Sequence, residues 1–152
     1  MAKLSKVGLI GCVKTKQAFA CAAGELYTSP LFTLSVEWLK SQGVTEWYIL
    51  SAEHGLLHPS TVVAPYEKTL SKMSKWEHGE WCGKIHTQVK KVFSEDQEFV
   101  VLGGSLYAGP LTYYKSAFPL KGMGLGQRLQ FLKNGAKVAK VLVQRFFDFV
   151  GV

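Results

Sequence analysis

Apolar runs of strand length alternate with longer stretches of helical period along this chain. Three short runs rich in β-branched and other apolar residues predict buried strands at residues 6–13, 45–51 and 99–102. Apolar residues at helical spacing predict amphipathic helices at residues 30–42 and 75–93. Because strands and helices alternate, the pattern predicts an α/β fold: a three-layer α/β/α sandwich around a central, mostly parallel sheet.

The segments between these elements contain local start and stop signals. Ser29 precedes a proline, which is typical of a helix N-cap, and Gly43 is typical of a helix end. Residues 52–70 form a long connection with two histidines, two prolines, a tyrosine and two glutamates. Connections of this length in compact domains are usually functional or disordered, and this composition favours a functional loop.

The last third of the chain is predicted to be mainly helical. Residues 106–116 are expected to form a short helix or turn, followed by a loop rich in glycine and proline. A long final helix is expected over residues 127–149, with a break near Asn134 and Gly135.

Composition narrows the class of protein. A chain of 152 residues with 47% hydrophobic and 19% charged residues is expected to fold as a single domain. It contains no apolar run near the roughly 18 residues of a membrane span, and its start lacks a signal-peptide pattern, so we expect a cytoplasmic protein. Three cysteines without a Cys-x-x-Cys pair predict neither a disulfide framework nor a zinc site, and no metal or cofactor is expected.

The charge balance points to a polyanionic partner. Lysine and arginine number 18 against 11 aspartate and glutamate residues, which gives a net charge of +7. Such a balance favours DNA or a nucleotide as the partner, although a merely basic protein has the same balance. The sequence leaves the oligomeric state open.

Reactive side chains follow the first predicted strand directly. Cys12, Lys14 and Lys16 come at its carboxyl end, where ligands bind in open parallel sheets. Two ammonium groups beside backbone N–H groups form a cradle for phosphate or carboxylate. Tyr27 and Ser29 lie at the start of the following helix, whose free N–H groups also favour an anion. The simpler interpretation is a packed thiol, solvated lysines and an ordinary N-cap.

The loop after the second strand contains the candidate acid–base groups. Ser51, Glu53 and His54 leave the strand together, and Tyr66 and Glu67 follow a few residues later. A carboxylate and an imidazole at a strand end can act as general base and general acid, which makes Glu53, His54 and Glu67 the catalytic candidates. Alternatively, Glu53 orients the histidine, binds a ribose hydroxyl or is only a solvated loop residue. Tyr66 can stack on a base.

Glycines mark the third strand end and the start of the last helix. Gly103 and Gly104 allow a ligand to approach the backbone closely, and Tyr107 follows them. Gln127 and Arg128 come after a glycine-rich loop, where the arginine can pair with a phosphate. Neither segment matches a complete dinucleotide-binding or P-loop pattern. We therefore predict substrate contacts here without a known nucleotide motif.

Several of these segments together resemble a family of small, largely uncharacterised bacterial and phage proteins. Its pattern comprises Ile-Ser-Cys-x-Lys-x-Lys, Leu-Tyr-x-x-x-Leu-Phe, Leu-Ser-Ala-x-His-Gly-Leu-Leu, Pro-Tyr and Gly-x-Gly-Gln. The matching segments here are residues 10–16, 26–32, 50–57, 65–66 and 124–127. One departure is a glycine at position 11, where the family usually has serine.

Two partial resemblances extend this picture. The middle segment is similar to the peroxide-stress DNA-binding family, and the Cys-x-Lys strand end is similar to the uracil-DNA-glycosylase-like domain of archaeosine-pathway enzymes. The first implies DNA binding. The second implies a Rossmann-like, glycosylase-like fold and nucleobase chemistry. Such small proteins occur near phage-defence and base-modification genes, so the resemblance suggests a modified base as the target.

The resulting expectation is a nucleobase N-glycosylase that excises a base from DNA and leaves an abasic site. Glu53 and His54 would do the acid–base work, and tyrosines would line a pocket for a flipped base. Two alternatives stay open. One is a non-catalytic DNA-binding module of stress or defence, which has no need of Glu53. The other is an enzyme that acts on free nucleotides or nucleosides.

Overall fold

The computed structural model describes residues 5–150, apart from the side chains of Ala139, Val141 and Val143. The fold is mixed α/β, with a five-stranded sheet and helices. Its strands are β1 (Val7–Gly11), β2 (Cys21–Ala22), β3 (Glu46–Ser51), β4 (Gly55–Leu57), β5 (Val62–Val63), β6 (Glu98–Leu102) and β7 (Lys115–Ala117). Its α-helices are α1 (Ala23–Leu26), α2 (Pro30–Ser41), α3 (Lys75–Val92) and α4 (Leu125–Val150). Short 3₁₀ turns occupy Leu70–Lys72, Ser105–Tyr107 and Gly109–Leu111.

The central sheet has β1 in its middle. The strand order is β4-β3-β1-β6-β7. Strands β3, β1, β6 and β7 run parallel, and β4 is an antiparallel edge strand beside β3. The expectation of a central, mostly parallel sheet is therefore confirmed. Strands β2 and β5 form a separate two-stranded antiparallel sheet.

Alternate residues of the central strands pack into two different clusters. Ile10, Ile49 and Leu102 pack with residues of α2 and α4, whereas Leu9, Leu50 and Val101 pack with residues of α3. Because successive side chains of a strand point to opposite faces, both faces of the sheet are covered. All five residues of β1 are buried, as its apolar sequence predicts.

The local signals place α2 and α3 correctly. Ser29 caps α2, with its Oγ accepting a hydrogen bond from the Phe32 N–H at 3.3 Å. Ser74 begins α3 with a capping box in which the Ser74 and Glu77 side chains accept hydrogen bonds from each other's backbone N–H groups. Both helices therefore begin at the predicted residues.

The predicted break in the last helix is wrong. Helix α4 runs without interruption through Asn134 and Gly135. A Cβ atom built at position 135 would lie 2.4 Å from Trp38 Nε1 of α2. The glycine therefore allows α2 and α4 to pack closely, and it does not end a helix.

Other boundaries also differ from the expectation. Strand β1 ends at Gly11, so the residues through Val13 already belong to the loop. The long connection over residues 52–70 contains β4 and β5, and the segment over 106–116 runs from 3₁₀ turns into β7. These strands have only two or three residues, which is too short for a hydrophobic period to be recognised.

Candidate functional site

The parallel strands bring three predicted segments to one edge of the sheet. Because β1 lies between β3 and β6, the loops that leave their carboxyl ends are neighbours. The Tyr107 hydroxyl donates to the backbone oxygen of Cys12 at 3.1 Å and lies 3.5 Å from the Cys12 Sγ. The Cys12 N–H donates to the Leu50 oxygen at 3.1 Å. The first and third loops are therefore in direct contact.

Ser51 organises the loop that follows β3. Its Oγ accepts hydrogen bonds from the Glu53 and His54 N–H groups at 3.2 and 3.0 Å, and it donates to the Tyr66 hydroxyl at 2.8 Å. Trp81 of α3 donates to the Ser51 backbone oxygen at 2.9 Å. Since Ser51 is fully buried, it positions its neighbours and has no surface for a ligand.

Two tyrosine hydroxyls continue this network. Tyr27 and Tyr66 share a short hydrogen bond between their hydroxyl groups. Burial raises the pKa of Tyr27 to about 12, and burial also raises the pKa of Tyr66 well above its ordinary value. Both hydroxyls therefore stay protonated at neutral pH and act as hydrogen-bond groups. Only 2% of Tyr27 is exposed, so Tyr27 supports Tyr66 from inside the core.

Lys16 covers the exposed side of this pair. Its Nζ lies 4.5 Å from the centre of the Tyr66 ring and 5.7 Å from that of Tyr27. The Nζ also donates to the Lys14 backbone oxygen at 3.2 Å. Burial lowers the pKa of Lys16, while the nearby Cys12 and Glu67 act in the opposite direction. The ammonium group therefore lies in a partly desolvated position between an aromatic ring and a carboxylate.

Lys16 is one of three lysines that line a groove. It consists of two adjoining cavities of about 480 and 390 Å³ that share Lys14, Thr69 and Lys72 in their walls. The first cavity is also lined by Lys16, Tyr66 and Glu67, and the second by Cys12 and Tyr107. We call this the cationic groove. It combines three lysine ammonium groups, an aromatic ring and a carboxylate.

The structure separates the two candidate carboxylates. Glu67 lines the cationic groove, whereas Glu53 lines a different cavity of about 210 Å³ together with Glu77, Glu80 and Lys84. His54 is half-buried, and its ring meets the Tyr66 ring edge-to-face with centres 5.5 Å apart. Of the acid–base candidates, Glu67 thus lines the cationic groove, His54 contacts the Tyr66 ring without lining either cavity of the groove, and Glu53 lines another cavity.

Tyr107 lies over two glycines at the strand ends. A Cβ atom would lie 2.9 Å from the Tyr107 ring if built at Gly11 and 2.8 Å if built at Gly103. This ring also lines a small cavity of about 80 Å³ that reaches Gly104 and Arg128. The Arg128 Nε donates to the Met123 oxygen at 2.9 Å, which fixes the guanidinium near Gly104. Burial raises the pKa of Tyr107 above its ordinary value, so this hydroxyl also stays protonated.

Two other predicted residues serve mainly as helix caps. Ser29 caps α2, and the Gln127 Oε1 accepts the Gly124 N–H at 2.9 Å before the first turn of α4. Neither residue lines the cavities described above. The structure therefore leaves Ser29 and Gln127 outside the candidate site.

Thr69 and Lys72 are groove residues that the sequence did not single out. The Thr69 Oγ1 is buried and forms no hydrogen bond with the part of the chain that the structure describes. Lys72 lies in the 3₁₀ turn at the end of the long connection, and its spacing from Lys14 in the chain gave no signal that the two face one groove. The only indication in the sequence that Lys72 belongs to the groove was its position in a positively charged turn after a long loop.

Other features bear on the class of site. All three cysteines are free. Within residues 5–150, no group of three or more histidine, cysteine, aspartate or glutamate side chains is arranged to hold a metal ion. Among the described helices, none has both the length and the apolar character that crossing a membrane requires.

Comparison with known proteins gives a family without an assigned activity. Residues 7–134 match DUF6884, a family of unknown function. The chain belongs to this family. The matched range of this DUF6884 protein includes every residue of the cationic groove, and it ends inside α4. No curated protein and no solved structure matches the chain significantly.

Proposed function

We propose that this protein cleaves the N-glycosidic bond of a nucleotide in DNA and releases the base, with the phosphate held in the cationic groove. The observation that supports this function best is the composition of one cavity. Lys14, Lys16 and Lys72 supply ammonium groups, Tyr66 supplies an aromatic ring and Glu67 supplies a carboxylate. A glycosylase needs these three kinds of group around one flipped nucleotide.

The lysines favour the phosphodiester backbone. Exposed Lys14 and half-buried Lys16 follow β1, and Lys72 faces them from the long connection. Ammonium groups bind phosphate oxygens through charge-assisted hydrogen bonds, and each phosphate contact makes the affinity dependent on salt. The net charge of +7 adds a long-range attraction for DNA.

Tyr66 is suited to receive the base. Its hydroxyl is held by Ser51 and Tyr27, which fixes the ring, while the Lys16 ammonium covers the ring. Stacking of a base on an aromatic ring is worth about 1–3 kcal/mol. We propose that the base takes the position of Lys16 over this ring and that the ammonium moves to the phosphate.

His54 would act as the general acid and Glu67 as the general base. As the bond between C1′ and the base breaks, its electron pair leaves with the base, and a proton from His54 neutralises the base. The Glu67 carboxylate stabilises the sugar cation and takes a proton from the water that adds to C1′. The products are a free base and an abasic sugar. Glu53 has no part in this step because it lines another cavity.

The finer expectations about the fold and the location belong to the same proposal. Coverage of both sheet faces supports a Rossmann-like, three-layer α/β/α sandwich of the uracil-DNA-glycosylase type. A single domain acting on cellular or phage DNA in the cytoplasm, with a modified base as its target, would fit this function.

The test is a search for released bases by mass spectrometry. The protein is incubated with bacterial DNA and with phage DNA that contains modified bases. We expect one base to be released and Glu67→Gln to reduce its release by at least about a hundredfold, since general acid–base groups contribute roughly 10²–10⁴-fold. Glu53→Gln is the matched control because it removes another exposed carboxylate, from a different cavity.

Two outcomes would contradict the proposal. Loss of release in Glu53→Gln with full release in Glu67→Gln would overturn the assignment of the carboxylate. No release from any DNA, together with tight binding that weakens steeply as salt rises, would favour a non-catalytic DNA-binding module. The broad positive charge is the observation that supports that second candidate.

A further inference from the structure

A second pocket with positive charge lies on the other side of Tyr107. It has a volume of about 430 Å³, and its lining includes Gly103, Gly104, Ser105 and Arg128. We call this the Arg128 pocket. Its volume falls within the roughly 300–1,000 Å³ of small-molecule sites.

The charge of this pocket is of one sign. Lys121 and Arg128 both line it, and no carboxylate does. Within residues 5–150, the Arg128 side chain donates only through Nε, to the Met123 oxygen. A Cβ atom built at Gly104 would lie 3.5 and 3.6 Å from its two terminal nitrogens. These nitrogens therefore lie against the backbone at the end of β6, at an orientation that the Met123 contact fixes.

The other walls are apolar. Phe118, Leu120 and Met123 line the pocket together with the two cations. An apolar surface with one fixed guanidinium suits a ligand that has a flat or aliphatic body and an anionic end. A nucleoside monophosphate unit has both parts.

The Arg128 pocket adjoins the cationic groove through the small cavity beneath Tyr107. That cavity of about 80 Å³ shares Gly104 and Arg128 with the Arg128 pocket, and it shares Cys12 and Tyr107 with the groove. The three cavities therefore form a row along the carboxyl ends of β1 and β6. Both ends of this row are positively charged, and the middle is narrow.

From this row we infer that the ligand is an oligonucleotide with at least two phosphates, one held by the lysines of the cationic groove and the next by Arg128. This inference rests on the proposed function for the identity of the ligand class. It adds the Arg128 pocket as the site of the neighbouring nucleotide. A free nucleoside or mononucleotide would fill only one end of the row.

The test measures binding without catalysis. Dissociation constants are determined for 5′-phosphorylated dinucleotides and for the matching mononucleotides. We expect Arg128→Gln to weaken dinucleotide binding by at least about tenfold, since a charged hydrogen bond contributes roughly that factor, and to weaken mononucleotide binding by a smaller factor, because a mononucleotide can still bind the lysines of the cationic groove. Lys14→Gln should weaken both ligands.

Two further variants guard against a misfolded protein. Arg128→Lys keeps the positive charge and should retain part of the dinucleotide affinity. Lys133→Gln removes an exposed charge from α4 away from the described cavities and should change neither affinity. Circular dichroism of each variant checks that the fold is retained.

The outcomes separate this inference from the proposed function. Equal weakening of both ligands by Arg128→Gln, or no weakening of either, would overturn the second phosphate site. Dinucleotide binding that depends on Arg128 without any base release would overturn the glycosylase proposal alone. Failure of every nucleotide to bind would overturn both.

Discussion

The arrangement of hydroxyl groups around Ser51 shows how single residues prepare the candidate site. One buried hydroxyl connects the loop that contains His54 to the Tyr66 ring, and Tyr27 supports the same ring from the core. Residue type alone predicted that these side chains belong to the site. It could not predict that Ser51 and Tyr27 are buried, because burial depends on packing across the whole sheet.

The buried tyrosine pair predicts a loss of stability in alkali. The pKa of Tyr27 rises from 10.0 to about 12 on folding, so between these values the unfolded chain loses a proton that the folded chain keeps. The stabilisation from Tyr27 is therefore complete below pH 10 and is lost as the pH rises towards 12, by at most about 1.4 kcal/mol per pH unit, and the raised pKa values of Tyr66 and Tyr107 add to the same slope. Urea unfolding between pH 8 and 11 measures this slope.

Tyr27→Phe should make that slope shallower. Tyr113→Phe is the control, because 77% of Tyr113 is exposed. An identical slope in wild-type protein and Tyr27→Phe would show that ionisation of Tyr27 is not linked to folding.

At the scale of elements, helices with local sequence signals were predicted correctly, whereas features that depend on long-range packing were not. Helix α2 was predicted from its cap and apolar spacing and helix α3 from its apolar spacing, since these signals lie within a few residues of each other. The interruption expected in α4 was wrong because Gly135 makes room for Trp38 on another helix and does not end its own. The short strand β4 was missed because its three residues pair with a neighbour instead of following a period of their own.

The turn into β4 depends on one glycine and one glutamine. Gly55 has a φ of +73°, a conformation that L side chains rarely adopt. A Cβ atom at this position would also overlap the Gln88 Oε1, which accepts the Leu56 N–H at 2.8 Å. The Gln88 Nε2 donates to the His54 oxygen at 3.3 Å. This side chain thus fastens the site loop to α3.

Gly55→Ala is expected to destabilise the protein by about 1–3 kcal/mol, because the left-handed backbone and the overlap with Gln88 both oppose a side chain. The free energies of unfolding of Gly55→Ala, Gln88→Ala and the double variant, measured by chemical denaturation, separate these two contributions. In the Gln88→Ala background the glycine substitution should cost less, because only the backbone strain remains. Equal costs in both backgrounds would show that the overlap does not contribute.

At the scale of the whole molecule, the edge that holds the site was predictable, but the strand order was not. Residue types at three strand ends indicated one shared edge. Which strand lies in the middle depends on pairings between segments far apart in the chain, and no local pattern encodes them. The family match and the packed core end close together, since Leu132 and Ala136 are the last buried residues among the described side chains.

The remainder of α4 is predicted to add little to stability. Four large apolar residues, Val138, Leu142, Phe146 and Phe149, are each at least 57% exposed. Deletion of residues 138–150 should therefore change the midpoint of thermal unfolding by less than about 2 °C, since substitutions of exposed residues rarely exceed 0.5 kcal/mol. Differential scanning calorimetry of the full-length and shortened proteins measures this midpoint. A decrease above about 5 °C would show that this segment packs against the body.

The central position of β1 has a consequence for the order in which the chain can fold. Val7 pairs with Glu46 on one side and with Phe99 on the other, so β1 gains its second neighbour only after the chain has been synthesised through Phe99. Until then a nascent chain leaves one edge of β1 unpaired. Distant pairings of this kind slow folding, because a long loop must close before its contacts form. The interval before β6 is synthesised is therefore the stage at which this protein is most exposed to aggregation.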